Sequence, residues 1–185
     1  MTYEAAALWH TLTLDGAIRW FDLPSAPRTL FAGVLFAAPG MPPSLHTGVW
    51  AGPITVDLTA LPSRPEAPAG DVDLVVETSI AVQGGPFGPR GPEDHPSLVA
   101  EHGVRLAAGW VRMRVAATGR ETAYDEAVEE AVEHYVIQVW PEEPSATVNL
   151  STGERPETSG PVAPATDSGV RVEPVAVRDH RPIRG

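Results

Sequence analysis

The chain has 185 residues, with 13 basic residues, all of them arginine, against 24 acidic ones, and a formal net charge of −11 at pH 7. It has no cysteine, which excludes disulfides, thiolate catalysis and cysteine-ligated zinc. The length suits one packed domain, and no apolar run approaches the roughly 20 residues that a membrane-spanning helix needs. The N-terminus lacks the basic start and apolar centre of a signal peptide, so we predict a cytoplasmic protein without membrane contact.

The charge excess lies in residues 1–144, which hold 8 arginines and 19 acids, whereas residues 145–185 hold 5 of each. An acidic body repels the phosphates of nucleic acids and anionic lipids, and it attracts basic proteins over a distance. Net charge also keeps proteins soluble, so the excess alone is compatible with a chain that has no charged partner.

Short strand-like runs occupy the first third of the chain. Alternating apolar residues from Leu8 to Leu14 precede Asp15-Gly16, a hairpin turn signal that leads into Ala17–Leu23. These two runs predict the first hairpin. Further strands are predicted in the apolar run 29–38 and in residues 49–61.

Residues 72–83 show the clearest alternation. Val72, Leu74, Val76, Ile80 and Val82 share one face of the predicted strand. The other face carries Asp73, Glu77, Ser79 and Gln83. One buried and one wet face are typical of an antiparallel sheet.

Two more strands, at 104–117 and 132–140, bring the total to about seven or eight. This count predicts a mostly β fold, an antiparallel two-sheet β-sandwich, with a short barrel as the alternative. Between the strands, the Gly- and Pro-rich residues 84–98 predict a long surface loop, where binding groups often lie.

An acid-rich insert from Glu121 to Glu133 separates the last two strands. Its apolar residues recur at helical spacing, and Thr122 with Asp125 can cap a start. We predict one short acidic helix over residues 122–130. The alternative is that the second half of the insert is already extended, because Val132 soon switches to strand period.

Eight acids and no arginine lie between Glu121 and Glu143. We predict that this region contacts a basic protein, and that its acids steer the partner towards it. The residues predicted to bind the partner are Asp125, Glu126, Glu129, Glu130 and Glu133. A solvated face without a partner is the alternative.

The five tryptophans divide into two groups. Trp9, Trp20, Trp110 and Trp140 fall in predicted strands, where packing in the core or at a sheet edge is expected. Trp50 lies among small, turn-forming neighbours, so we predict that it is exposed and can anchor a partner.

No pattern of catalytic or metal-ligating residues is complete, and we predict no catalytic residue, metal or cofactor. The alternatives are a metal site at Glu93, Asp94, His95 and His102, and a calcium site at Asp71 and Asp73. Ser44 with His46, and Ser97 with His95, offer a hydroxyl and a base without a third member.

After Pro144 the composition shifts to Ser, Thr, Pro, Gly and Ala, which is typical of a chain that cannot bury enough apolar area to fold alone. We therefore predict a domain over residues 1–144 and a Pro-rich tail over residues 145–185. Residues 170–177 could add a late edge strand.

A family resemblance rests on three strand segments over about residues 8 to 141. They are Val76–Val82, Gly109–Val115 followed by Gly119-Arg120, and Glu133–Pro141. Together they resemble the competence protein J family, small β-sandwich proteins whose name-giving type inhibits a DNA-entry nuclease. The Pro-rich loops and the long tail depart from that pattern, and no catalytic residue carries over.

The resemblance and the charge distribution together predict a non-enzymatic inhibitor or immunity-type protein that binds a basic nuclease or toxin in place of nucleic acid. Two alternatives remain open. One is a sandwich that binds a small ligand or carbohydrate, and the other is a small barrel enzyme or cyclase with an apolar pocket.

Overall fold

The computed structural model describes residues 1–23, 28–66, 72–151 and 158–159. This part of the chain consists of short strands and one helix, α1 (Ser97–His102). The strands are β1 (Thr2–Leu8), β2 (Thr11–Asp15), β3 (Ala17–Trp20), β4 (Thr29–Phe31), β5 (Leu35–Ala37), β6 (Ser44–His46), β7 (Ala51–Ala60), β8 (Leu74–Val82), β9 (Gly85–Arg90), β10 (Val104–Leu106), β11 (Gly109–Thr118), β12 (His134–Pro141), β13 (Val148–Asn149) and β14 (Thr158–Ser159). The predicted mostly β fold is confirmed.

The strands join into a single curled half-barrel, so the predicted two-sheet sandwich is wrong. The main path of hydrogen-bonded neighbours is β13-β8-β11-β12-β7-β1-β2-β6-β5-β4-β14. β12 pairs with β7 in parallel, whereas β11 lies antiparallel to both β8 and β12. Alternation along a strand records which of its faces is buried, and it is the same in a sandwich and in a curled sheet. The pairing partners distinguish the two architectures, and local patterns do not encode them.

The first hairpin turn lies earlier than predicted. β1 and β2 are joined through Trp9 and His10, with Leu8 opposite Thr11. After Gly16 the chain enters β3, which pairs with β8 instead of returning along β2. Gly16 has φ +84°, and a Cβ there would lie 2.5 Å from the carbonyl oxygen of Pro86. This glycine therefore permits the close approach of two segments and does not form a hairpin turn.

The core is one cluster of alternating side chains from the central strands. Representative members are Tyr3, Ala5, Ile54, Val56, Leu58, Met113, Val115, Tyr135, Ile137 and Val139, all at most 7 % exposed. Burial of such aliphatic and aromatic side chains is the main stabilising contribution to the fold. Two of the tryptophans expected in strands, Trp20 and Trp140, are also buried.

β8 is buried on both faces along most of its length, contrary to the predicted wet face. Asp73 and Gln83 are exposed, but Glu77 and Ser79 are buried. The residues after β12 cover this face: the amide of Ser145 donates to Ser79 Oγ at 3.0 Å, and Val148 lies opposite Glu77. Residues 145–151, which the composition predicts to belong to the tail, therefore pack against the sheet. Residues 170–177 lie outside the described residues.

Regular structure also appears where a loop was predicted. Residues 84–98 contain β9 and the start of α1, so they are not a single irregular connection. β9 pairs with β2 and β10, and its Phe87 is buried. None of the described helices combines the length and the apolarity needed to span a bilayer.

The acidic helix predicted over residues 122–130 is wrong, because this segment forms turns and loop. Asp125 has φ +62°, which a right-handed helix does not accommodate. Backbone groups of the segment bond to a neighbouring segment: the amide of Asp125 donates to Gly48 O at 2.9 Å, and Glu126 O accepts from the amide of Trp50 at 2.8 Å. Long-range hydrogen bonds therefore override the local helical spacing.

Candidate functional site

Three segments meet at one end of the half-barrel, which we call the acidic end. They are the β1–β2 turn (Trp9 and His10), residues 47–50, and the acidic loop (residues 121–133). His10 donates its amide to Trp50 O at 3.1 Å and accepts from the amide of Thr47 at 2.9 Å. The acidic loop docks on residues 48–51 through the backbone bonds of Asp125 and Glu126 described above.

Two glycines permit this close docking. A Cβ on Gly48 would lie 2.1 Å from the carbonyl oxygen of Arg120, and one on Gly52 would lie 2.3 Å from that of Val128. Real Cβ atoms do not approach backbone oxygens so closely, and Gly52 also has φ +131°. A side chain at Gly48 would push away Arg120 and the Glu133 carboxylate, and one at Gly52 would push the acidic loop away from β7.

Glu133 is buried at 1 % exposure, so its prediction as a surface steering charge is wrong. Its carboxylate accepts from the amide of Gly48 at 3.1 Å, from the amide of Val49, and from the hydroxyl of Tyr135 at 2.8 Å. Period-two alternation places Glu133 on the same side as Tyr135, but it does not reveal the distant donors that allow the carboxylate to be buried. These hydrogen bonds hold the end of the acidic loop against Gly48 and Val49.

Two neighbouring groups complete this buried part. Burial raises the pKa of Tyr135, which keeps the phenol protonated as a donor to Glu133. The Arg120 guanidinium donates to Gly33 O at 2.7 Å and to His46 O at 3.1 Å, and its Nε has no partner among the described residues. No pattern in the sequence identifies Arg120 as part of the acidic end, because its partners, Gly33 and His46, are distant in the chain.

A pair of histidines lies between the buried part and the surface. The rings of His10 and His46 have centroids 4.8 Å apart. His10 Nδ1 lies 3.0 Å from Thr47 O, and its Nε2 lies 3.1 Å from Asp125 Oδ1. Both partners are oxygen atoms, and the two contacts together fix the orientation of the His10 ring.

His46 differs from its neighbour. Burial, together with the positive charges of His10 and Arg120, lowers the pKa of His46 to about 4. The ring is therefore neutral at pH 7. The sequence offered His46 only as a base for Ser44, but Ser44 is fully buried and its hydroxyl donates to Pro42 O at 3.0 Å.

Backbone strain is concentrated at this end. The non-glycine residues with positive φ in the described part are Trp9 (52°), His10 (56°), Ala32 (49°) and Asp125 (62°). Three of them belong to the acidic end, and Ala32 precedes Gly33, whose carbonyl accepts from Arg120. Left-handed conformations of such residues cost about 1 kcal/mol or more each, and they persist where the surrounding contacts hold them.

The surface of the acidic end combines carboxylates with aromatic rings. Asp125, Glu126, Glu129 and Glu130 are exposed, as predicted from the sequence. Trp50 is 40 % exposed, which agrees with its predicted exposure. Two further aromatic residues were missed: Trp9, 64 % exposed, was expected to pack in a strand, and Tyr124, 55 % exposed, was expected on the apolar face of a helix.

The other candidate sites do not come together. In the described part of the chain, no group of three or more His, Asp or Glu residues has a geometry suited to a metal ion. Asp94 instead accepts from the amides of Ala6 and Gly91, and His102 stacks on Tyr3. Of the two residues weighed for calcium, Asp71 lies outside the described residues, and Asp73 accepts from the amide of Arg120 at 3.1 Å.

Ser97 and His95 do meet, at 3.0 Å between Oγ and Nδ1, but the same nitrogen also accepts from the amide of Ser97. The contact lies at the surface, where α1 begins. It satisfies an otherwise unpaired amide at the start of the helix.

Two open depressions of about 330 and 350 Å³ occur among the described residues. The first is lined by residues such as Trp20, Phe21 and Met41, and the second by residues such as Leu61, Trp110 and Trp140. Neither includes a residue of the acidic end. The acidic end presents exposed carboxylates and aromatic rings above the buried Glu133 and Tyr135.

No family model matches the chain, and no significant match was found among curated proteins or solved structures.

Proposed function

We propose that this chain is a non-enzymatic binding protein that recognises a basic protein through the acidic end. The observation that carries the proposal is the coincidence of exposed acids with exposed Trp9, Trp50 and Tyr124 on one surface. Tryptophan and tyrosine are enriched among residues that dominate binding energy, and surrounding charges accelerate association. A basic nuclease or toxin, inhibited by occupation of its phosphate-binding groove, fits this chemistry best.

The distribution of arginines supports the proposal. Among the described residues, Glu126, Glu129 and Glu130 have no ion-pair partner. The arginines that form ion pairs do so elsewhere: Arg64, Arg112 and Arg114 with Glu77, and Arg90 with Asp15. The negative charge of the acidic end is thus left available to a partner, and nucleic acid and anionic lipid are disfavoured as ligands.

Carbohydrate binding is the second candidate, because exposed aromatic rings beside carboxylates can also stack on and hydrogen-bond to a sugar. The two candidates differ in their response to salt. Binding of a neutral glycan should be almost unchanged between low and high salt, whereas attraction between oppositely charged surfaces weakens within a Debye length of about 10 Å at 0.1 M.

The test is a pull-down from the native host at two salt concentrations, followed by mass spectrometry and affinity measurement with the purified partner. The Glu126→Gln/Glu129→Gln/Glu130→Gln variant should associate about ten-fold more slowly or worse with a basic partner, and its salt dependence should be smaller. The matched control changes three exposed acids outside the acidic loop: Glu4→Gln/Glu93→Gln/Glu101→Gln. Equal effects of the two variants, or none from either, would contradict the proposed surface.

A further inference from the structure

The β1–β2 turn has an unusual composition for its geometry. Its two central residues, Trp9 and His10, have φ 52° and 56°, the left-handed pair that a two-residue hairpin turn requires. Asn-Gly and Asp-Gly are the preferred residues there, because a bulky side chain in this conformation crowds the backbone. A Trp-His pair is therefore strained at both positions.

Packing does not offset the strain at Trp9, whose side chain is the most exposed large hydrophobic one in the described part of the chain. The neighbouring histidine supplies the restraint. His10 fixes the turn with both ring nitrogens, to Thr47 O and Asp125, and with its own backbone amide and carbonyl. The backbone of Trp9 is thus fixed with its ring exposed to solvent, at a cost in stability, which is a reason to seek a function for it.

We propose that Trp9 is the principal contact residue of the acidic end, that its indole stacks on an arginine side chain of the partner, and that His10 is its positioning residue. This inference rests on the proposed function and names the chemistry that the surface recognises. Because the backbone of Trp9 is already fixed and a tryptophan side chain has few rotatable bonds, ordering it on binding costs little conformational entropy, which favours it as an anchor.

Arginine is the side chain that fits the surroundings of Trp9. Its planar guanidinium stacks on an indole face and can donate to carboxylates in the same plane. The exposed carboxylate of Asp125 is held against the turn by His10, so it adjoins the turn that carries Trp9. Lysine carries the same charge but lacks the planar group.

The experiment compares Trp9→Asn with the wild-type protein, since asparagine tolerates the left-handed conformation and lacks the ring. The probes are fluorescently labelled oligoarginine and oligolysine peptides of equal length, measured by anisotropy at fixed ionic strength. Trp9→Asn should bind oligoarginine roughly two- to five-fold more weakly, with a smaller loss for oligolysine. Its resistance to thermal unfolding should equal or exceed that of the wild type, because strain is relieved.

The control is Phe21→Ala, which removes a 45 % exposed ring that contacts Trp110, away from the acidic end. It should bind both peptides like the wild type. His10→Asn keeps a residue that tolerates positive φ but loses the contact with Asp125; it should weaken oligoarginine binding although Trp9 is present.

The outcomes separate the two proposals. If Trp9→Asn binds normally while the triple glutamine variant does not, the acidic surface stands and the role of Trp9 is wrong. If both variants bind oligoarginine like the wild type, the proposed function is contradicted as well. Marked destabilisation of Trp9→Asn would assign the ring a structural role and overturn the inference.

Discussion

Two glutamates are buried at 1 % exposure in this protein, and they are satisfied in different ways. Glu77, in β8, lies among three arginines: it accepts from Arg114 and Arg64, each at 2.7 Å, and Arg112 Nε lies 3.6 Å away. Glu133, at the acidic end, accepts from two backbone amides and a tyrosine hydroxyl. One carboxylate is neutralised by cations, and the other is held mainly by neutral donors.

The difference shows that the charged groups that stabilise the fold are not the ones that give the acidic end its surface charge. The arginines around Glu77 also donate to the backbone: Arg112 to Ser145 O and Ala146 O, and Arg114 to Pro65 O and Glu66 O. They join the chain segments that cover β8. At the acidic end, amides and Tyr135 bind the buried carboxylate, and the exposed Glu126, Glu129 and Glu130 have no ion-pair partner among the described residues.

Glu77→Ala should have the largest effect. It leaves Arg112 and Arg114 buried without their counter-charge, and the expected loss in the free energy of unfolding is about 3–5 kcal/mol. Arg64→Ala is the matched control, because the Arg64 side chain is 56 % exposed and its ion pair should contribute under about 1 kcal/mol. Denaturant unfolding measures the free energy of unfolding of both variants. Similar losses would show that the contribution of Glu77 and Arg64 to stability does not depend on their burial.

Acidification should weaken the acidic end through His46. In the unfolded chain the histidine binds a proton near its ordinary pKa of 6.5, whereas in the folded protein its pKa is about 4. Between these values the unfolded state binds more protons, so stability falls as pH is lowered, by up to about 3 kcal/mol. Comparison of wild type and His46→Gln from pH 7 to 4 measures the effect. Identical pH slopes in the two proteins would contradict it.

Glu133→Gln should lower the free energy of unfolding by about 1–3 kcal/mol. The glutamine side chain has one acceptor oxygen, whereas the carboxylate of the wild type offers two oxygens to the same donors. The effect should be local: exchange of the amide hydrogens of Gly48 and Val49 should accelerate more than exchange within β8. Glu77→Gln provides the comparison. If it accelerates exchange at Gly48 as strongly, the two glutamates do not act independently.

The smallest effect on stability is expected for Glu126→Gln/Glu129→Gln/Glu130→Gln. These side chains are exposed and lack ion-pair partners among the described residues, so the free energy of unfolding should change by no more than about 0.5 kcal/mol. A slight gain from reduced repulsion is compatible with the proposal. A loss above about 1 kcal/mol in thermal unfolding would show that the loop carboxylates maintain the fold.

Local patterns in the sequence determined several features of this protein: the mostly β fold, the strand within residues 72–83, the exposure of Trp50 and the position of Glu126, Glu129 and Glu130 at the surface. Each depends on alternation, turn composition or charge within a short stretch, which the residues themselves carry.

Only the tertiary structure decided the single curled sheet, the loop at residues 122–130 and the burial of Glu77 and Glu133. The decisive partners are far away in the chain: the amide of Gly48 lies 85 residues from Glu133, and Arg114 lies 37 residues from Glu77. A buried carboxylate and a solvated one look alike in sequence, because their difference lies in donors that folding brings together. The same holds for Trp9, since its exposure follows from a turn that His10 fixes through contacts with Thr47 and Asp125.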